Sequence, residues 1–140
     1  MNTDQERERK KRILRRYKKN KNMIARLKNK VSEIEDRIDG LKSPVISDMP
    51  RGGVPVTKTD LMGEKIDIEA RIVRLEEKGK RLKKETIDLI DEYVDDPRYA
   101  DILEGFFVDC LNFDEIAIRL GYHERHIERL YAEAIDTLSF

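Results

Sequence analysis

Within the eleven residues from 119 to 129, this chain gathers Arg119, Tyr122, His123, Glu124, Arg125, His126, Glu128 and Arg129. Those types in that pattern suit hydrogen bonding to nucleic acid. The guanidinium of Arg125 or Arg129 can donate twice to a guanine edge, and Glu124 or Glu128 can accept from a cytosine amino group. Arg119 and Tyr122, at the start of the cluster, suit phosphate oxygens. The plain alternative is that Arg125 and Arg129 pair with Glu128 and Glu133. Other chemistry finds little support. His123 and His126 are three apart, yet Glu124, Arg125 and Glu128 do not complete a metal-ligand set, so no metal site is expected. The chain has no Ser-His-Asp or Cys-His pattern, no Walker sequence and no dinucleotide-binding fingerprint, so neither catalytic residues nor a cofactor are expected and the chain does not read as an enzyme.

A side chain can read a base only if its helix is presented, and the flanking residues predict that presentation. Ile116, Ala117 and Leu120 form one apolar face, Gly121 breaks the helix, and a second helix begins near His123 with Ile127, Leu130, Ala134 and Leu138 inward. Ala117 is small enough for two helices to cross closely, and Gly121 tolerates the positive φ of the turn. This is helix-turn-helix patterning, with the outer face of the second helix free to enter a major groove. A helical hairpin that only packs a core would show the same apolar spacing.

The elements upstream must carry this pair. Residues 13–41 hold two interleaved seven-residue series, Tyr17, Ile24, Val31, Ile38 and Ile13, Leu27, Ile34, Leu41, with Asn20 in register in the second. Residues 61–93 repeat the pattern with Leu61, Ile68, Leu75, Leu82, Leu89 and Ile72, Gly79, Thr86, Tyr93. Two seams of this kind predict two long helices. The expected fold is therefore all-α: a long antiparallel coiled-coil hairpin over residues 1–94, with a Pro/Gly-rich loop at 43–58, followed by a small helix-turn-helix domain at 95–140. With Leu41 near Leu61, paired residue numbers sum to about 102, which sets Ile34 against Ile68, Leu27 against Leu75, Ile24 over Gly79 and Asn20 against Leu82. Pairing between two chains, giving a homodimer through the coiled coil, fits the same seams.

Thr59 or Asp60 can cap the second long helix. Pro97 can open the next as a first-turn residue, with Tyr99, Ile102, Leu103 and Phe106 inward and Phe107 a further candidate. Asn112 or Phe113 starts the helix-turn-helix. In the loop, Arg51 beside Gly52 and Gly53 is a contact candidate, and a plain surface loop is the other reading.

The formal net charge of zero conceals a polarity. Residues 1–42 hold 15 Lys/Arg against 7 Asp/Glu, a net of +8, while residues 95–140 hold 4 against 11, a net of −7. DNA affinity rests largely on neutralised phosphates, so the acidic end needs help. The hairpin register brings the basic run, with Lys10, Lys11 and Arg12 at its centre, to the helix-turn-helix end, where it can supply backbone contacts. It can equally neutralise Asp88, Asp91, Glu92, Asp95 and Asp96.

Charged residues at 41% with aromatics at 6% fit long exposed helices better than a compact globule. The single Cys110 leaves no internal disulfide, in keeping with a reducing cytoplasm, and no signal peptide or membrane span is expected.

The stretch Phe113–Leu138, FDEIAIRLGYHERHIERLYAEAIDTL, resembles the bacterial sigma-factor domain that reads the promoter −35 element, down to the Ala134 and Leu138 spacing. Together with Met49-Pro50-Arg51-Gly52-Gly53 and Asp96-Pro97-Arg98-Tyr99, it resembles the ArpU/RinA-like phage regulators of Gram-positive bacteria. The resemblance covers about residues 40–138. It implies a phage-type DNA-binding transcriptional regulator, a late-gene activator in the bacterial cytoplasm, acting on double-stranded DNA near host RNA polymerase. By the same resemblance, Glu124, Arg125, Glu128 and Arg129 occupy base-reading and backbone-contacting positions. Two positions depart from the sigma pattern. His123 stands where Ser or Thr usually caps the helix, and Glu124 and Glu128 stand where basic residues are usual. Two competing expectations are a protein-interaction module, with the acidic helix-turn-helix docking on polymerase or another phage protein, and a DNA-packaging recognition subunit.

Overall fold

The computed structural model describes residues 3–42 and 57–140. They form six helices in the order α1 (Thr3–Leu14), α2 (Arg16–Lys42), α3 (Lys58–Tyr93), α4 (Pro97–Phe107), α5 (Phe113–Leu120) and α6 (Glu124–Thr137), with no strand among the described residues. The fold is all-α, as the seams and caps predict. Most of the loop expected at 43–58, with Arg51, Gly52 and Gly53, lies outside the described residues.

The chain divides into two compact units. One takes in the residues up to Lys21 and from Lys78 to Phe140; the other is Asn22–Glu77. Helices α2 and α3 contribute residues to both.

In Asn22–Glu77, the two long helices pair through Ile34, Ile38 and Leu61, with Ile68 packed against them. Leu27 and Ile72 are also buried. Ile34 and Ile68, expected to meet, thus fall in one cluster. Ion pairs flank the seam at Lys28–Glu76 (3.6 Å) and Glu35–Lys65 (3.2 Å), and both keep the antiparallel register expected from the seams. Helix α3 starts from a reciprocal cap. The Asp60 N–H donates to Thr57 Oγ1 (3.1 Å), and the Thr57 N–H donates to Asp60 Oδ2 (3.3 Å). The cap is therefore Thr57, not Thr59 or Asp60, and Asp60 serves as its third-position partner. Leu41, expected in the seam, is 52% exposed.

The larger unit departs from the simple heptad. Leu14, not Ile13, is fully buried. The inward positions step Leu14, Tyr17, Asn20, three residues at a time, across the interruption of helix at Arg15. Backbone bonding nevertheless continues, from Arg15 N–H to Lys11 O and from Lys19 N–H to Arg15 O, each 2.9 Å. Asn20, not Ile24, lies over Gly79: a Cβ on Gly79 would come 2.7 Å from Asn20 Oδ1. A branched side chain would need more room there than the flat amide. At the far end of α3 the inward set likewise shifts from Leu89 and Tyr93 to Ile90 and Val94.

One core joins Leu14, Ile90 and Val94 to α4–α6, centred on Phe107, Ile102, Leu103, Ile116, Ile127 and Ile135. Helix α4 is capped by Asp96, whose side chain accepts from Arg98 N–H (2.9 Å), with Pro97 in the first turn where its missing N–H costs nothing. The Arg98 guanidinium bonded to Asp96 holds that carboxyl below the usual range. Phe106 stacks on Phe113 with centroids 5.2 Å apart and meets Tyr131 at 5.0 Å. Gly105 lets α5 approach α4, because a Cβ there would lie 3.2 Å from Ile116 Cγ1.

Candidate nucleic-acid interface

The pair α5 and α6 is built by local signals that agree with its packing. Asn112 caps α5 by accepting from Glu115 N–H (2.9 Å), and Glu115 returns a bond from the Asn112 N–H (3.3 Å). Only Ile116 and Ala117 of α5 are buried, so its other side is open. Gly121 ends α5 at φ 74°, and both its N–H and that of Tyr122 donate to Ala117 O (2.9 and 3.0 Å). An L side chain is strained at that φ, which is why the turn needs glycine. His123 then caps α6: its Nδ1 accepts from Arg125 N–H (3.2 Å), satisfying the helix start as a Ser or Thr oxygen would. The apparent departure at His123 is therefore a working cap.

Ile127, Leu130, Tyr131, Ala134 and Ile135 anchor α6 in the core. Glu124, Arg125, Glu128 and Arg129 are exposed, as a reading face requires. His126 is half-buried and edge-on to Tyr122 at 5.0 Å, and its Nδ1 accepts from the Arg129 guanidinium (2.7 Å). With Nδ1 accepting, the neutral ring carries its proton on Nε2. Arg129 is thus steered by His126. Arg119 is bound to Asp109 (2.7 Å) and shares a cleft of about 320 Å³ with Asp101 and Glu104. Asp114 faces Glu124, and the hydrogen bond that protonation of Glu124 allows, with the charges of Asp114 and Glu128, raises its carboxyl above the usual range. Residue types and spacing bring Glu124 to the helix face, but the approach of Asp114 from α5 depends on how the helices cross.

The basic helix reaches this pair directly. Helix α1 runs antiparallel to α6: Arg7 forms a two-pronged pair with Asp136 (2.8 and 2.9 Å), and Lys11 lies over the Tyr131 ring at 5.9 Å. Arg7 holds the Asp136 carboxyl below its usual range. Lys10 is buried, with Nζ turned to Ile135 O (3.5 Å), where a cation meets the carbonyl end of α6. Lys11 also pairs with Glu8 (3.6 Å). Of the three cations singled out from the sequence, Arg12 alone is exposed. It shares a groove of about 500 Å³ with Arg9, Arg15, Arg16, Lys19 and Ile13. Arg15 also acts electrostatically on the buried Tyr131 hydroxyl, which burial pushes up to about 12. In the sequence the basic groove lies undivided within a longer cationic run. Its signal is the recurrence of cations at 9, 12, 16 and 19, on the side of the helix opposite Leu14.

No helix among the described residues is long and apolar enough to cross a membrane, and none of them cluster as His, Cys, Asp and Glu groups that could hold a metal ion. Comparison of the chain with protein-family models, with curated proteins and with solved structures returns no match.

Proposed function

We propose that this chain is a sequence-reading DNA-binding protein, a cytoplasmic transcriptional regulator of the phage type that its helix-turn-helix resembles. Helix α6 enters the major groove, where Arg125, Arg129 and Glu128 read base edges. The exposed cations Arg12, Arg15, Arg16 and Lys19 engage phosphates. The observation that carries this reading is the docking of α1 along α6 through Arg7–Asp136 and Lys10–Ile135 O, which sets a basic groove beside an otherwise acidic helix pair. Phosphate contact supplies most nonspecific affinity, and base-edge contact supplies discrimination.

Selection from random duplex DNA at physiological salt tests the reading. An enriched motif supports it, and Arg125→Ala with Arg129→Ala should then lower affinity for that motif about 10- to 100-fold for each base edge no longer read. Arg12→Ala with Arg16→Ala should weaken all sequences alike and reduce the salt slope by about 2. A folded protein that enriches nothing overturns it.

A protein-docking reading draws on one specific observation. Arg119 is held by Asp109 in an acidic cleft with Asp101 and Glu104, an environment that repels phosphate and suits a basic segment of a partner such as RNA polymerase. Asp101→Asn with Glu104→Gln would release such a partner and leave DNA selection intact.

A further inference from the structure

Helix α3 carries a second seam that its pairing with α2 leaves open. Gly63, Ile66, Ala70 and Val73 follow a 3-4-3 spacing on a face distinct from Leu61, Ile68, Ile72 and Leu75. Ile66 is 63% exposed, Val73 59% and the adjoining Met62 46%. Single exposed apolar residues are ordinary, but a run in helical register is not. Gly63 adds an independent mark. A Cβ built on it meets nothing within 4 Å, so no neighbour among the described residues requires the glycine. Glycine inside a helix costs about 1 kcal/mol relative to alanine, and its common use is close approach of another backbone. Met62 and Ile66 also border a groove of about 450 Å³ shared with α2, lined otherwise by the buried Ile38 and five charged residues.

The flanking charges select the occupant. Two copies of α3 paired in parallel bring Glu69 of each beside Arg74 of the other, at the flanking positions that set partner choice, on both sides of the seam. An antiparallel pair instead sets Glu69 against Glu69 and Asp67 against Asp67 near its centre. That antiparallel pair regains Asp60 opposite Arg74 but keeps both like-charge meetings, so the seam complements itself better in the parallel sense, which fits a second copy about a two-fold axis. We infer that the Gly63, Ile66, Ala70, Val73 face of α3 is a homodimer interface in which two copies of this chain pair α3 in parallel. The inference goes beyond the DNA reading and does not depend on it.

Light scattering on the size-fractionated full chain tests it. The protein should run at twice its 16.5 kDa chain mass, and Ile66→Glu should halve that mass with the helical circular-dichroism signal unchanged. A monomeric parent chain, which would leave the face to a different partner, overturns the inference, as does a dimeric Ile66→Glu chain. Orientation is read separately in a Cys110→Ser background. Ile66→Cys should cross-link to itself under mild oxidation, because Ile66 meets its own copy only in the parallel pair; a dimer that does not cross-link overturns the parallel arrangement.

Discussion

The core around α4–α6 and the hairpin seam of Asn22–Glu77 use apolar residues in opposite ways. The first surrounds Phe107, Ile102, Leu103, Ile127 and Ile135 on all sides, leaving each at 0% exposure. The second is one side chain deep: Ile68 and Leu75 stay half-buried and Ile66 faces outward. Three helices crossing at angles enclose a volume, whereas two parallel rods share only a line of contact. Helix α6 is therefore held by a three-dimensional core, and the hairpin relies on repetition along its length.

Truncation should expose that contrast most strongly. Phe107→Ala should cost about 3–5 kcal/mol, while Ile68→Ala, already partly in water, should cost below about 2 kcal/mol. Urea unfolding followed by far-ultraviolet signal measures both. Equal losses would mean that the two regions are equally enclosed.

The turn tests whether the core alone positions α6. Gly121→Ala, at φ 74°, should destabilise by about 1–2 kcal/mol. Any DNA binding should fall along with stability, so both are measured on one sample. An unchanged midpoint would show that the turn relaxes freely.

At Asn20 and Gly79 the effect is a coupling. Gly79→Ala alone should destabilise, because its Cβ would meet Asn20 Oδ1 at 2.7 Å, a buried atom with no hydrogen-bond partner among the described residues. In an Asn20→Ala background the same change should stabilise by about 1 kcal/mol through helix propensity. A double-mutant cycle reads the reversal, and additive effects would break it.

The smallest effect is electrostatic. Glu124 has a folded-state pKa above its unfolded value, chiefly because its protonated form can hydrogen-bond the facing Asp114. The folded state then binds more protons in that window, so stability falls as pH rises through it. Asp114→Asn should raise the melting temperature at pH 7 and lose that advantage in acid. If α6 enters DNA as proposed, the same change should also strengthen binding at neutral pH by removing a like charge beside the phosphates. A gain that persists in acid would assign the effect to packing.

Much of this was legible in the chain, and particular residues show where legibility stopped. Ile116, Ala117, Gly121, Ile127 and Leu130 foretell the helix pair because a turn and an amphipathic face are short-range properties. The caps at Asp96 and Asn112 are similarly local. The hairpin register was readable to within a few residues, so the ion pairs fall as expected while Asn20 takes the place over Gly79 assigned to Ile24. Ile13 and Leu14 differ by one position, and periodicity alone cannot choose between them beside the interruption at Arg15. Thr57 is not separable as the cap from sequence, because Thr59 and Asp60 offer the same oxygen chemistry within three residues.

Composition and spacing by themselves determined that the chain is helical, where its helices break, which face of each is apolar, and that its charge is divided between a basic start and an acidic end. Those follow from interactions between residues a few positions apart. Only the tertiary structure decided which charges remain available. Lys10 is committed to the carbonyl end of α6, Arg119 to Asp109 and Arg7 to Asp136, while Arg12, Arg15, Arg16 and Lys19 stay in water. Every lysine and arginine carries the same charge in the sequence. Its use depends on what lies across the gap, and that partner comes from a helix more than a hundred residues away in the case of Lys10 and Arg7.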